Sequence, residues 1–328
     1  MTDRANRDSN YTQNQVPNQV PDRATRNGFG EALLQLGRTN PRVVALTADL
    51  TGSVRMHAFS QKYPDRFWNV GIAEQNMAGL SAGLSFGGLI PFAATYGVFW
   101  GRAWDQVRVS ICISNANVKM ISTHCGVTVG EDGATAQALE DVGMFASLPN
   151  LTILSPCDDL EAYKATLALA EFKGPVYMRL SRSPSPRLTK KETPFVIGRA
   201  EIMRKGKDVT LIGYGPILAR VLRAAEELRA QNIDAEVINC HTIKPLDTHT
   251  ILQSAKKTGA VVVVEDHQKI GGIGSMIAAV LADHHPTPMK IVAVNDRFGE
   301  SGKPEELLDL VGLTVKKIVE KVDKNRFV

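Results

Sequence analysis

The residue types that could do chemistry fall between Val43 and Arg182. Asn69-Val70-Gly71-Ile72-Ala73-Glu74-Gln75-Asn76-Met77 places one carboxyl group, Glu74, at the start of a small-residue helical stretch. A carboxylate there can serve the helix dipole, or, walled by apolar groups, can keep a proton available near neutral pH. Tyr96-Gly97-Val98-Phe99 offers aromatic faces directly after an apolar run. Ser122-Thr123-His124-Cys125-Gly126 sets an imidazole after another such run, and Leu180-Ser181-Arg182 ends a third on a guanidinium. Arginine is a forked donor suited to an anion. Gly130-Glu131-Asp132-Gly133-Ala134-Thr135 is a glycine-flanked acidic loop. Together these supply an acid–base carboxyl, an aromatic platform and an anion-binding set.

Such groups meet only if they share one edge of one sheet. Strand-length apolar runs at 43–46, 90–94, 118–122, 151–154 and 176–180 alternate with helical periodicity at 31–38, 71–88, 100–114 and 158–172. Asp158-Asp159 supplies acidic residues where a helix N-terminus favours them. The alternation predicts parallel βαβ units, and the chemical groups fall after strand ends, where open α/β sheets bind ligands. A proline- and lysine-bearing stretch at 184–196 reads as a linker. Beyond it strands at 209–213, 235–239, 260–265 and 290–294 alternate with helices at 217–230, 248–257, 274–282 and from about 304. The fold class expected is α/β with two doubly wound domains, at 21–183 and 197–328, after a disordered tail over 1–20.

Composition narrows the function. The chain has 328 residues, 38 Lys plus Arg against 34 Asp plus Glu, and a net charge of +4. That balance gives no basic stripe for nucleic acid or a membrane surface. Aromatic content of 6% argues against a platform for single strands. No apolar run reaches the roughly 18 residues of a membrane span, and no signal peptide is written, so a cytoplasmic location is expected. Cys112, Cys125, Cys157 and Cys240 have no metal spacing and read as buried or neutral thiols. Gly213-Tyr214-Gly215 lacks the third glycine of a dinucleotide fingerprint, since position 218 is Leu218. Gly271-Gly272-Ile273-Gly274 reads as a glycine-rich approach to a packed helix, open in principle to an anion. Glu265-Asp266-His267 reads as a polar strand end.

The sequence resembles the transketolase family in its pyrimidine-binding and C-terminal domains. The matches are Ala48-Asp49-Leu50, GIAEQNMAG at 71–79, Phe99, Asp105-Gln106-Val107-Arg108, Thr123-His124, GEDGAT at 130–135 and Leu180-Ser181-Arg182, in family order. The resemblance implies a parallel-sheet domain for the thiamine pyrimidine and a smaller mixed-sheet C-terminal domain. It assigns Glu74 the hydrogen bond to the pyrimidine N1′. Phe99 and Tyr96 would stack on that ring, with Asp49 and Leu50 in the segment approaching the cofactor. It gives His124 and Arg182 the sugar phosphate, Ser53 a third phosphate contact and Asp132 a substrate hydroxyl. The cofactor implied is thiamine diphosphate with Mg2+ (or Ca2+ or Mn2+).

No GDG motif for the diphosphate and its metal occurs in the sequence. The expectation is therefore one subunit of a split transketolase, with no metal ligand of its own. An N-terminal-half partner would hold the diphosphate and metal, most simply in an α2β2 heterotetramer. The family's G-x-T-H-Q reads Gly133-Ala134-Thr135-Ala136-Gln137 here, which opens the choice of donor and acceptor. The family's first phosphate-binding arginine falls on or beside Asp22-Arg23. Two other readings remain: a 2-oxo acid dehydrogenase E1 β subunit, or a non-catalytic subunit with a degenerate site.

Overall fold

The computed structural model describes residues 21–322; the tail expected over 1–20 lies outside the described residues. The first half runs α1 (Thr25–Thr39), β1 (Val43–Thr47), α2 (His57–Lys62), β2 (Phe67–Asn69), α3 (Glu74–Phe86) and β3 (Ile90–Tyr96). A helical run over 97–113, here α4, mixes α, 3-10 and π turns before β4 (Lys119–Thr123). Then come α5 (Asp141–Ala146), β5 (Thr152–Leu154), α6 (Asp159–Glu171) and β6 (Val176–Arg179). The second half runs β7 (Glu201–Arg204), β8 (Val209–Gly213), α7 (Leu218–Ala230), β9 (Ala235–Asn239) and β10 (Thr242–Lys244). It continues with α8 (Thr248–Thr258), β11 (Val261–Gln268), α9 (Ile273–His284), β12 (Met289–Val294), α10 (Pro304–Leu310) and α11 (Val315–Lys321).

The first sheet has seven strands in the order β10-β5-β6-β4-β3-β1-β2, and the second five in the order β12-β11-β8-β9-β7. All pairings are parallel except β10 on β5 and β7 on β9. The central strands are covered on both faces: β1, β4, β8 and β9 are buried at every position, β4 and β9 even at Lys119 and Glu236. Asp158 caps α6 by accepting from Glu161 N at 2.7 Å, the acidic start legible in the sequence. On α1, a Cβ at Gly28 would stand 1.8 Å from the Asp159 carbonyl oxygen, so α1 and α6 approach backbone to backbone there.

Two features differ from the expected pattern. The first helix starts at Thr25, not at 31, which brings Arg26 into its first turn. The short strand β10 leaves the second half to extend the first sheet antiparallel. The halves are also joined by polar groups. Buried Arg179 donates through Nε to both oxygens of Asp141 at 3.1 and 3.0 Å, and through Nη2 to the carbonyls of Ala138 and Asp266 at 3.1 and 2.8 Å. Asp266 in turn accepts from Val127 N at 3.0 Å.

Removing one partner from such a pair strands a buried charge. Arg179→Met is expected to lower stability by about 3–5 kcal/mol, read as a shift of the urea midpoint. The charge-free double replacement Arg179→Met with Asp141→Leu is expected to lose less. A double variant weaker than the single one would contradict this account of the pair.

Candidate active site

Glu74 is the first residue of α3 and is 1% exposed. Asn69, at the end of β2, fixes the chain on both sides of it. Its Oδ1 accepts from Asp49 N at 2.9 Å and Gly71 N at 3.1 Å, and its Nδ2 donates to Asp49 Oδ1 at 3.1 Å. Asp49 and Gly71 both take positive φ, 58° and 74°, so the two loops turn sharply at this clasp. Asp49 is exposed, whereas Leu50 packs half-buried on the core. Glu74 Oε2 accepts from Arg102 Nη1 at 3.2 Å, and the Arg102 guanidinium lies over the Phe99 ring at 5.1 Å. A flat N–H donor thus rests on Phe99 while bonded to the buried carboxylate. Those are the two contacts an aminopyrimidine would need there, so the residues fit that half of a thiamine cofactor.

Tyr96, which the resemblance sets with Phe99 on the pyrimidine, is stacked on rings of its own chain. Its ring stacks on Phe99 (5.3 Å between centroids, 11° between planes) and on His124 (3.6 Å, 19°). Tyr96 ends β3 and Phe99 stands three residues on in α4, so the rings align along one helix face. His124, at φ 58° after β4, turns back onto Tyr96. Tyr96 therefore links the two ends of the site.

Beyond His124 lies a cluster of cations. Arg26 Nη1 donates to the Ser53 carbonyl at 2.9 Å and stands 3.4 Å from His124 Nε2. Arg182 Nη1 donates to the Val129 carbonyl at 2.7 Å and to Glu131 at 3.0 Å. Burial first, then the fields of Arg26, Arg182 and Arg55, push the His124 imidazole down to about 3. Arg26 is lowered to about 10, by burial and then by Arg55 and Arg182. His124 is thus neutral at pH 7 beside three guanidinium groups. Such a set is made for an anion. Ser53 is half-buried, and Asp132 is exposed with its field reaching Arg26.

Arg26, three residues after Arg23, is the arginine that stands at Ser53 and His124. Arg23 pairs instead with Glu31 and, at 3.4 Å, with Asp159. Arg26 precedes the expected helix start at 31, and α1 reaches it only because the helix begins at Thr25. Arg55 was missed because nothing in a loop sequence shows where its side chain stands. Ala136 is buried and brings no polar group to the place of the family's histidine. The adjacent Gln137 is a clasp between the halves, donating to the carbonyls of Val127 and Glu300 at 3.1 and 2.9 Å.

The other motifs resolve as structure. Glu265 accepts from Ile273 N and Gly274 N at 2.8 and 3.2 Å, so the glycine-rich turn before α9 wraps an internal carboxylate. Burial raises Glu265 to about 7. Tyr214, between the glycines at 213 and 215, donates to the same carboxylate at 3.3 Å. A cavity of about 490 Å³ between the sheets is lined by Arg179, Tyr214, Ile217, Arg220, Asp266 and Leu308. None of Glu74, Phe99, Arg26 or His124 lines it. Among the described residues no group of three or more His, Cys, Asp or Glu could hold a metal, and no helix is long and apolar enough to cross a membrane.

The buried imidazoles set an acid limit. His124 is lowered to about 3, and His241 and His267 to about 4. The unfolded chain therefore binds more protons from about pH 6.5 downward, and stability is lost as pH falls through that window. His124→Asn is expected to flatten the loss by about 1.4 kcal/mol per pH unit, read from urea midpoints at pH 7, 6 and 5. An unchanged slope would contradict a neutral, buried His124.

Comparison with known proteins agrees with this geometry. The family model for the transketolase pyrimidine binding domain matches residues 22–186, and that for the transketolase C-terminal domain matches 198–318. The 6-deoxy-6-sulfo-D-fructose transketolase subunit SqwH of Clostridium sp. is 41% identical over 295 residues, covering 90% of this chain and 92% of that protein. Human transketolase is 39% identical over 303 residues, covering 91% of this chain but 48% of that protein, so the chain spans about half its length. A solved split-gene transketolase, an inactive beta4 tetramer, superposes with a TM-score of 0.86 at 44% identity over 92% of this chain and 97% of that one. With two adjoining domain models filling most of its length and relatives matched end to end, the chain belongs to the transketolase family.

Proposed function

We propose that this chain is the β-type subunit of a split transketolase, moving a two-carbon ketol unit from a ketose to an aldose, with a phosphorylated sugar as the default acceptor. The observation that carries the reading is the Arg102 guanidinium resting on Phe99 and donating to buried Glu74. Thiamine diphosphate, when bound, supplies the carbon centre that accepts and releases the two-carbon unit. The chain's own residues hold and orient. Glu74 would share a proton with the pyrimidine N1′, in a place where 1% exposure excludes water. Phe99 would cover the ring face once Arg102 has moved aside, and the Asn69 clasp keeps Asp49 and Leu50 against that space. At the other end Arg26, Arg182 and neutral His124 would grip the substrate's anion, the Ser53 loop being held by Arg26. Asp132 would meet a sugar hydroxyl.

A partner would complete the site. Among the described residues no group of three or more His, Cys, Asp or Glu could hold a metal. The outer face of α3 carries Gly79 and Gly83 with open space above them, flanked by exposed Ile72, Phe86, Val109 and Ile113. An apolar face of that kind beside Glu74 suits a subunit that supplies the diphosphate-binding half with its Mg2+, in an α2β2 assembly.

Three outcomes are expected of the complex with that partner. Glu74→Ala cuts ketol transfer by about 100-fold or more while the chain still folds and assembles; near-wild-type turnover would remove the thiamine role of Glu74. Arg26→Ala raises the KM for a phosphorylated acceptor by about tenfold or more with kcat little changed. An unaltered KM would show that the cation cluster does not hold the substrate. The purified chain alone binds thiamine diphosphate weakly, and tight stoichiometric binding by calorimetry would contradict the split site.

A further inference from the structure

The cation cluster contains one guanidinium more than the sequence reading and the resemblance assign. We propose that Arg55 is a specificity residue that makes this site select a doubly charged phosphate monoester over a singly charged sulfonate. The proposal rests on reading the cluster as the substrate-anion site, and it names the class of anion that site takes.

Three observations carry it. Arg26 and Arg55 have no carboxylate partner among the described residues, and Arg182 meets only the exposed Glu131. The buried Arg26 Nε has no hydrogen-bond partner either, so donor capacity is left over. The cluster is therefore richer in positive charge than its own side chains can balance.

The position of Arg55 is also enforced. Its φ is 63°, a left-handed conformation that costs any residue other than glycine free energy, although Gly52 stands three positions away. The loop is closed by Val54 N to Leu50 O at 3.0 Å, Arg55 N to Gly52 O at 3.1 Å and Met56 N to Thr51 O at 2.9 Å. On α1, a Cβ at Gly30 would come within 2.6 Å of the Arg55 carbonyl oxygen and 2.8 Å of its Cβ. Gly30 thus lets Arg55 approach one helical turn beyond Arg26. From there its charge acts on both Arg26 and His124.

Charge decides what such a site prefers. A phosphate monoester carries about −1.5 to −2 at pH 7, and a sulfonate carries a single negative charge. With Arg182 paired to Glu131, Arg26 alone matches the charge of a sulfonate; Arg55 brings the second unbalanced positive charge, which only a phosphate meets. A sulfonate is the apt comparison because the Clostridium relative is named for a 6-sulfo sugar, a ketose.

The test uses the full chain without its partner, titrated calorimetrically at pH 8 with glycerol 3-phosphate and with 3-hydroxypropane-1-sulfonate. The wild type is expected to bind the phosphate about tenfold more tightly than the sulfonate. Arg55→Met is expected to remove most of that ratio by weakening the phosphate alone, and Arg55→Lys to keep much of it. A ratio unchanged in Arg55→Met, or an equal weakening of both ligands, would overturn the role of Arg55. If the wild type binds neither ligand, the anion-site reading itself falls, and the proposal with it. If selective binding depends on Arg55 while the assembled protein transfers no ketol unit, the selectivity stands and the proposed reaction fails.

Discussion

Arg179 donates to both oxygens of Asp141 and to the carbonyls of Ala138 and Asp266, so one buried guanidinium gathers the acidic-loop region, β6 and the second sheet. The site depends on this junction. Tyr177 Oη donates to Asp141 at 2.9 Å and lies 2.7 Å from Ser122 Oγ, which extends the network onto β4 two residues before His124. Arg179 itself stands three residues before Arg182. The ends of β4 and β6, which are followed by His124 and Arg182, are thereby registered against each other and against the second half of the chain. A low-dielectric interior makes each of these bonds strong only while the set is complete. The second half is thus more than a packing partner: through Asp266, the Glu300 carbonyl that Gln137 meets, and β10, it holds the loops of the first half.

The site has two ends of opposite character. Around Glu74 a single carboxylate is buried and satisfied by an arginine from its own chain, 53% exposed on its side chain. Around His124 three guanidiniums face a shortage of negative charge. The stacked column of Phe99, Tyr96 and His124 spans the interval, so the two ends are held at fixed separation by ring contacts. A molecule carrying an anion at one end and reacting at the other would be positioned by that column.

Much of this was legible in the sequence. The alternating periodicity gives the two α/β sheets, and polar groups after β3, β4 and β6 do converge, because parallel strands present their C-terminal ends together. The Glu74, His124 and Arg182 segments are readable as motifs, since local sequence fixes a strand end or a helix start. The unread parts depend on distant contacts. Arg26 required knowing that α1 begins at Thr25, in a stretch with no side-chain cap on the preceding Ala24. Arg55 required a left-handed turn that no glycine announces. The stacking of Tyr96 on His124 joins strands 28 residues apart in sequence by numbering, and β10 crosses from one half to the other; neither is written in any local pattern.

The central claim is that this chain supplies half of a two-chain transketolase site. It is tested most directly by combining the purified chain with a diphosphate-binding N-terminal-half subunit, thiamine diphosphate and magnesium, and following two-carbon transfer from xylulose 5-phosphate to ribose 5-phosphate. The account predicts turnover that requires both chains and is lost when either is omitted. Turnover by this chain alone, or none from an assembled complex across phosphorylated and sulfonated sugars, would contradict it.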